Sequence, residues 1–227
     1  MEDPQIITTE DGSHSLKHHS FDEHYHSTFG AISESRHVFI GAGLHYLLSE
    51  EKLPVRILEV GFGTGLNALL SLYEAMNSGQ KMHYTTLEPF PLKEEIWRGL
   101  NYPGLVQDTR AGEWFENIHN APWNMIVKLT PVFTLEKRSS PLQDIKNDEE
   151  PYKLIYFDAF GPDVQAEMWT EEIFKLIYRI CAPGAVLVTY SAKGSVRRAM
   201  QAAGFKVERI PGPKGKREMM RGVKFEV

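Results

Sequence analysis

Three glycines at alternate positions, in Glu59-Val60-Gly61-Phe62-Gly63-Thr64-Gly65-Leu66-Asn67, do most to limit what this chain can fold into. They follow a short apolar run, Val55–Val60, and precede Leu66–Met76, where apolar residues recur at helical intervals until Asn77-Ser78-Gly79. The local order is therefore strand, glycine turn, helix. Glycine admits φ > 0 and lets a ligand approach the backbone, while the unpaired N–H groups of a helix start suit a nucleotide-like ligand. A dinucleotide site asks for Gly-x-Gly-x-x-Gly, but Leu66 stands where the third glycine would be. Gly-x-Gly-x-Gly with an acid, Glu59, two residues upstream favours S-adenosylmethionine over NAD. The alternative is a glycine turn that binds nothing.

The rest of the chain repeats the alternation. A helix over Phe39–Leu48 precedes the first strand, Met82–Leu87 is a second strand, and a helix over Leu92–Leu100 stops before Asn101-Tyr102-Pro103-Gly104. Between 105 and 150, Trp114-Phe115 marks a packed helix, Ile126–Leu135 one strand interrupted by Pro131, and Lys146–Glu150 a solvated loop. Lys153–Phe157 and Ala185–Tyr190 are strands, and Glu171–Ile180 and Ser195–Ala203 are helices, the second closed by Gly204. Phe205–Arg209 and Met219–Phe225 then form two strands with no helix between them. This order predicts an α/β fold: a parallel sheet with helices on both faces, finished by an antiparallel edge hairpin. That is the seven-stranded, Rossmann-like arrangement of S-adenosylmethionine-dependent methyltransferases. Residues 1–20, polar and rich in histidine and serine, are expected to be a partly flexible segment, with the domain over 21–227 and order beginning near Phe21.

At 227 residues and 42% hydrophobic, the chain fits one domain with a sizeable core. Its single cysteine, Cys181, excludes a disulfide framework and a cysteine-rich zinc site and reads as a small buried apolar residue. No apolar run approaches the roughly 20 residues that span a bilayer, and Met1-Glu-Asp-Pro4 lacks the start of a secretory signal. The expectation is a cytoplasmic protein without a membrane contact. His14, His18, His19, His24 and His26 invite a metal, but they lie in a polar segment without cysteine partners, so no metal site is expected. Net charge is −5, against a nonspecific nucleic-acid binder coated in basic residues. Even so, Lys206, Arg209, Lys214, Lys216, Arg217, Arg221 and Lys224 gather near Arg197 and Arg198. Such a cluster suits RNA phosphates, and equally a solvated charged face.

Two further carboxylates carry chemistry. Glu88 closes the strand that follows the glycine turn, where a carboxylate can accept both ribose hydroxyls. Asp158, in Tyr156-Phe157-Asp158-Ala159-Phe160-Gly161-Pro162, is delivered by a buried strand to the edge at which open α/β sheets bind ligands. There it can hold an amine nucleophile in line with a sulfonium methyl, or cap the following turn. Asp144, in Ser139-Ser-Pro-Leu-Gln-Asp144, is a candidate for the adenine side, and Pro141 stands where an acid would be expected.

These residues resemble one family in particular. Phe21-Asp-Glu-His-Tyr-His-Ser27, Arg36-His-Val-Phe-Ile40, the 59–67 motif, Glu88-Pro-Phe-Pro91, Phe157–Pro162, Met168-Trp169 and Lys216-Arg-Glu-Met219 together are similar to the methyltransferase half of the bifunctional tRNA 5-methylaminomethyl-2-thiouridine biosynthesis enzymes, most of all its free-standing form. The glycine motif is shared with many methyltransferases; Asp-Ala-Phe-Gly-Pro, Met-Trp and Lys-Arg-Glu-Met are more specific. The resemblance implies methyl transfer from S-adenosylmethionine to the amine of 5-aminomethyl-(2-thio)uridine at the tRNA wobble position, with Asp158 as the catalytic residue. It implies cofactor contacts at Tyr25, Glu59, Gly61, Phe62, Gly63, Thr64, Gly65, Asn67, Glu88, Pro89, Asp144, Asp158, Ala159 and Phe160, and tRNA contacts at Arg197, Lys214, Lys216 and Arg217. The chain ends soon after this segment, so the family's flavin-dependent oxidase half is not expected, and a separate enzyme is expected to supply the amine. Rival readings are a methyltransferase of a small molecule or protein, and a noncatalytic RNA-binding module.

Overall fold

A computed structural model describes residues 3–18, 23–50, 54–146 and 150–225. His19, Phe21 and Asp22, and residues 147–149 of the expected loop, lie outside them.

Strands β1 (Gln5–Thr8), β2 (His14–His18) and β3 (Glu23–His24) form a small antiparallel sheet. The expectation of a loose N-terminal segment is corrected over 5–18. The polar residues there are held by hydrogen bonds rather than by water. Ser13 Oγ accepts the Ala31 and Ile32 N–H groups at 3.0 and 3.2 Å, and Asp11 accepts the Ser33 N–H at 2.9 Å. The β1–β2 turn thus satisfies orphan donors at the start of a helix.

That helix, α1, runs over residues 31–50: α-helical at Ala31–Ser35, π-helical at Arg36–His45 and α-helical again at Tyr46–Glu50. It begins eight residues before the predicted one. Gly43 faces the sheet, where an added Cβ would lie 3.0 Å from Val188 Cγ2 and 3.3 Å from Tyr156 Cε1.

There follow β4 (Val55–Val60), α2 (Leu66–Ser78), β5 (Met82–Leu87), α3 (Glu94–Trp97), α4 (Tyr102–Leu105) and α5 (Ala111–Asn120). Then come β6 (Ile126–Thr130), β7 (Phe133–Arg138), β8 (Tyr152–Phe157), α6 (Glu171–Ile180), β9 (Cys181–Thr189), α7 (Gly194–Ala202), β10 (Lys206–Pro211) and β11 (Glu218–Val223). Pro131 does not interrupt a strand but turns the chain, so the one strand expected over 126–135 is an antiparallel pair, β6–β7.

The central sheet has the order β10-β11-β9-β8-β4-β5-β7-β6. Its middle, β9-β8-β4-β5-β7, is parallel, and β10–β11 is the expected antiparallel hairpin. β6 adds an eighth strand to the seven expected. Alternate strand residues face opposite layers, as the two-residue period of a strand requires. Ile57, Leu154 and Tyr156 pack under α1, α2 and α5, and Leu58, Ile155 and Phe157 under α6 and α7. Covering both faces leaves the ends of β4, β5 and β8 to build a site.

Candidate active site

Gly61, Gly63 and Gly65 have φ of 94°, 48° and 74°, the left-handed region where a β-carbon is strained. A Cβ on Gly61 would also meet the Asp158 carbonyl oxygen at 2.6 Å. The loop between β4 and α2 therefore lies against the end of β8. Beyond the strands the chain stays zipped, with the Gly61 N–H donating to Leu87 O and the Asp158 N–H to Val60 O, both at 3.0 Å. Glu88 and Asp158 are thus fixed on opposite sides of one glycine loop.

Above this edge opens a cavity of about 990 Å³. Of the residues expected at the cofactor, Tyr25, Gly61, Phe62, Gly63, Thr64, Asn67, Glu88, Pro89, Asp158, Ala159 and Phe160 line it. Glu88 Oε2 accepts the Gly63 N–H at 3.1 Å and Oε1 the Phe90 N–H at 2.9 Å. Burial raises the Glu88 pKa, and these two donors partly offset it. A carboxylate has about four acceptor positions, so two remain for a ribose diol. Tyr25 stands edge-on to Phe160, 5.1 Å between ring centroids, and burial followed by the charge of Glu88 pushes its phenol up to about 12.

Three expected residues are not on the cavity wall. Gly65 caps α2 and packs against His119 and Phe62. Asp144 ends a short 3₁₀ turn, Leu142–Asp144, while its neighbours Ser140, Pro141, Leu142 and Gln143 reach the cavity. Ser140 and Gln143, not Asp144, are the polar side chains on that wall. Glu59 lies wholly buried behind the loop, because strand alternation sends Val60 to the cavity and Glu59 away from it. Its Oε2 accepts the Thr86 hydroxyl at 2.7 Å.

Burial first, and then the charge of Asp158, pushes Glu59 up to about 8. Its Oε1 and the Asn67 Oδ1 are both buried without a partner, and Asn67 lies within hydrogen-bonding reach of Glu59. The Asn67 Nδ2 donates to Asp158 Oδ2, at 2.8 Å. Burial and the charge of Glu34 raise Asp158 to about 7, with Asn67 and Lys216 pulling the other way. A carboxylate near neutrality exchanges protons readily at physiological pH.

Of the residues expected at tRNA, Lys216 reaches the cavity, turned inward. Lys214 and Arg217 are exposed on the same β10–β11 loop, Lys214 paired with Glu10 at 2.9 Å. Arg197, half-buried on α7, is not on the cavity wall. Other basic residues are engaged within the fold: Arg209 with Glu218, Arg221 with Glu208, and Lys224 with the Tyr178 and Cys181 carbonyls. Of the histidines, His26 Nε2 and Thr64 Oγ1 share a hydrogen bond of 2.9 Å, and burial lowers its pKa to about 4. His14 Nδ1 shares one with Gly99 O at 3.1 Å.

Glu34 and Tyr190, both on the cavity wall, were not among the expected residues. An acid inside an apolar helix start, Ala31-Ile-Ser-Glu34, was the available signal. Its partner Lys216 lies 182 residues away, beyond any spacing rule.

A glycine loop whose Cβ positions are closed, a carboxylate at the next strand end, and an apolar wall at Leu87 and Leu142 fit S-adenosylmethionine. Fold and site together have the arrangement of the S-adenosylmethionine-dependent methyltransferase fold. Comparison agrees: residues 139–225 match the S-adenosyl-L-methionine-dependent methyltransferase family. The tRNA 5-methylaminomethyl-2-thiouridine biosynthesis bifunctional protein MnmC of Pseudomonas fluorescens is 30% identical over 213 residues, covering 89% of this chain and 32% of that protein. Its counterpart in Cupriavidus metallidurans is 32% identical over 214 residues, covering 88% and 31%. The chain therefore spans about a third of the length of these curated relatives. The crystal structure of MnmC2 from Aquifex aeolicus covers 100% of this chain and 72% of that one, with a TM-score of 0.79 and 26% identity. Residues 139–225 thus match a methyltransferase family, and the chain is similar to the MnmC proteins over nearly nine tenths of its own length.

Proposed function

We propose that the chain transfers a methyl group from S-adenosylmethionine to the amine of 5-aminomethyl-(2-thio)uridine at the tRNA wobble position, giving the 5-methylaminomethyl nucleoside. The observation that carries this reading is Asp158, aimed by Asn67 into a cavity bounded by the glycine loop and Glu88. The cofactor supplies an electrophilic methyl group on a sulfonium with a neutral thioether as leaving group. The protein's part is to hold and deprotonate the amine. Asp158, raised to about 7, accepts a proton from the arriving ammonium and retains the neutral amine by hydrogen bonding. Glu88 receives the ribose hydroxyls, Gly61 and Gly63 leave room for the amino-acid end, and Gln143 and Leu142 flank the adenine.

Lys214 and Arg217, on the loop that carries Lys216, contact tRNA phosphates, and Arg197 of α7 is a further phosphate contact. A separate enzyme supplies the aminomethyluridine, and the compartment is the cytoplasm, where its tRNA substrate is used. Among the described residues no helix is long and apolar enough to cross a membrane. The methyltransferases of small molecules or proteins share the cofactor half of this site, and the relationship to MnmC over nearly nine tenths of the chain favours tRNA.

Incubation of aminomethyluridine-bearing tRNA with protein and labelled S-adenosylmethionine, followed by nucleoside mass analysis, tests this. The expected product is the nucleoside heavier by one methyl group. In Asp158→Asn, single-turnover transfer falls at least about 10²-fold while cofactor binding persists. Label absent from the wobble nucleoside overturns the substrate, and a wild-type rate in Asp158→Asn overturns the role of Asp158.

A further inference from the structure

Lys216 points the wrong way for a residue that only meets RNA. From the β10–β11 loop it enters the cavity, where its Nζ lies 2.8 Å from Glu34 Oε1 and 4.1 Å from the centroid of the Tyr190 ring. Neither partner is free to move. Glu34 is 6% exposed, and its other oxygen accepts the Ser27 N–H at 2.7 Å. Tyr190 donates its hydroxyl to Ala159 O at 2.9 Å, next to Asp158. One carboxylate oxygen is thus fixed by the backbone, the other is presented to a cation, and an aromatic face covers that cation from the side. The proximity of this pair to Asp158 is felt electrostatically, Glu34 raising its pKa and Lys216 lowering it.

The lysine side chain ends in CH₂–NH₃⁺. An aminomethyl substituent on a pyrimidine ends in the same group. We propose that Glu34 and the Tyr190 ring form a receptor for the substrate's primary ammonium beside Asp158, and that Lys216 is its internal occupant, displaced when the substrate amine enters. This rests on the function proposed above and names the residues that select its substrate. A nearly buried carboxylate left without a partner is strongly unfavourable, and exchanging one ammonium for another keeps Glu34 paired throughout. A uridine without the amine has nothing to exchange and leaves Lys216 in place, so the amine is selected by its contact with Glu34 and the Tyr190 ring. Lys216 is 35% exposed on a loop containing Gly212 and Gly215, the latter at φ 84°, and its displaced ammonium lies beside Arg217 for a phosphate.

The test is calorimetric titration of the full chain with 5-aminomethyluridine and with 5-methyluridine, two nucleosides that lack phosphate. Lys216→Met keeps the stem and removes the competing ammonium. It should bind the amine nucleoside at least about 10-fold more tightly than wild type and leave 5-methyluridine unchanged, a fold-change of about 1.4 kcal/mol. Adding Glu34→Gln, which keeps the acceptor for Ser27, should abolish the preference for the amine. Displacement is also read in unaltered protein, where the Lys216 ammonium NMR signal, assigned by its loss in Lys216→Arg, should shift to its solvent-exposed position with 5-aminomethyluridine and not with 5-methyluridine. The proposal is overturned if Lys216→Met fails to tighten amine binding, if the preference survives in the double variant, or if the wild-type signal stays in place at saturation. Methyl transfer to amine-bearing tRNA is a separate readout. Transfer without displacement removes this receptor alone; displacement without transfer leaves the receptor and removes the proposed reaction.

Discussion

At the scale of single residues, the site depends on a carboxyl group that never reaches the cavity. Glu59 accepts the Thr86 hydroxyl behind the glycine loop, close to Asn67, which aims its amide at Asp158. Replacing Glu59 by Gln keeps an acceptor for the Thr86 hydroxyl and removes the titration. The pKa of Glu59 is raised from its ordinary 4.5 to about 8, so the folded protein holds a proton that the unfolded chain releases near pH 4.5. The stability this contributes is fully present below pH 4.5, declines as pH rises towards 8, and is lost above it. Wild type should therefore lose stability relative to Glu59→Gln across that window, by at most about 1.4 kcal/mol per pH unit, and the two curves should run parallel above it. Urea unfolding at pH 5, 6.5, 8 and 9 measures this. A constant difference across the series would mean that Glu59 titrates near its ordinary value in the folded protein.

At the scale of elements, α1 joins the N-terminal sheet to the central one and carries Glu34. Its closeness to β8 and β9 depends on Gly43. Alanine there gains up to about 1 kcal/mol of helix propensity, against a contact at 3.0 Å that requires Val188 to yield. Valine adds a branched bulk with nowhere to go, and Gly43→Val should destabilise the fold by about 1–3 kcal/mol in urea unfolding while Gly43→Ala stays within about 1 kcal/mol. Equal stability of Gly43→Val and wild type would place the tight contact elsewhere. The same elements show what the sequence discloses. β4, α2, β5 and α6 were legible to within two residues, because each has a strong period and a clear stop such as Gly79. β6 and β7 were merged because Pro131 marks both a broken strand and a turn, and only pairing decides between them. Residues 5–18 look loose from sequence because serine is solvated by type, whereas Ser13 and Ser15 are buried acceptors. The glycine loop, Glu88 and Asp158 carry local signatures; the Glu34–Lys216 pair and Gln143 are brought to the cavity by the fold alone.

At the scale of the whole molecule, the acidic net charge and the basic C-terminal region need not conflict. Much of that cluster is neutralised within the fold by Glu218, Glu208, Glu10 and backbone carbonyls, so the ligand-facing charge is smaller than the count of basic residues. Arg217 is exposed and in no ion pair among the described residues, and Lys214 holds Glu10 only at the surface, where such a pair contributes about 0–1 kcal/mol. Both lie on the loop whose inward residue is Lys216, so an RNA whose base enters the cavity passes them with its phosphates. Lys214→Ala combined with Arg217→Ala should weaken tRNA binding and reduce the slope of log affinity against log salt by about one to two units, since each lost phosphate contact removes about 0.7–0.9. S-adenosylmethionine affinity should not change, because neither residue lines the cavity. Filter binding at 50, 100 and 200 mM salt separates this from a general loss of charge: Lys175→Ala with Lys128→Ala, two exposed lysines on α6 and β6, should leave the slope closer to wild type. Equal slopes in the two double variants would assign the salt dependence to overall charge and remove the β10–β11 loop from the tRNA path.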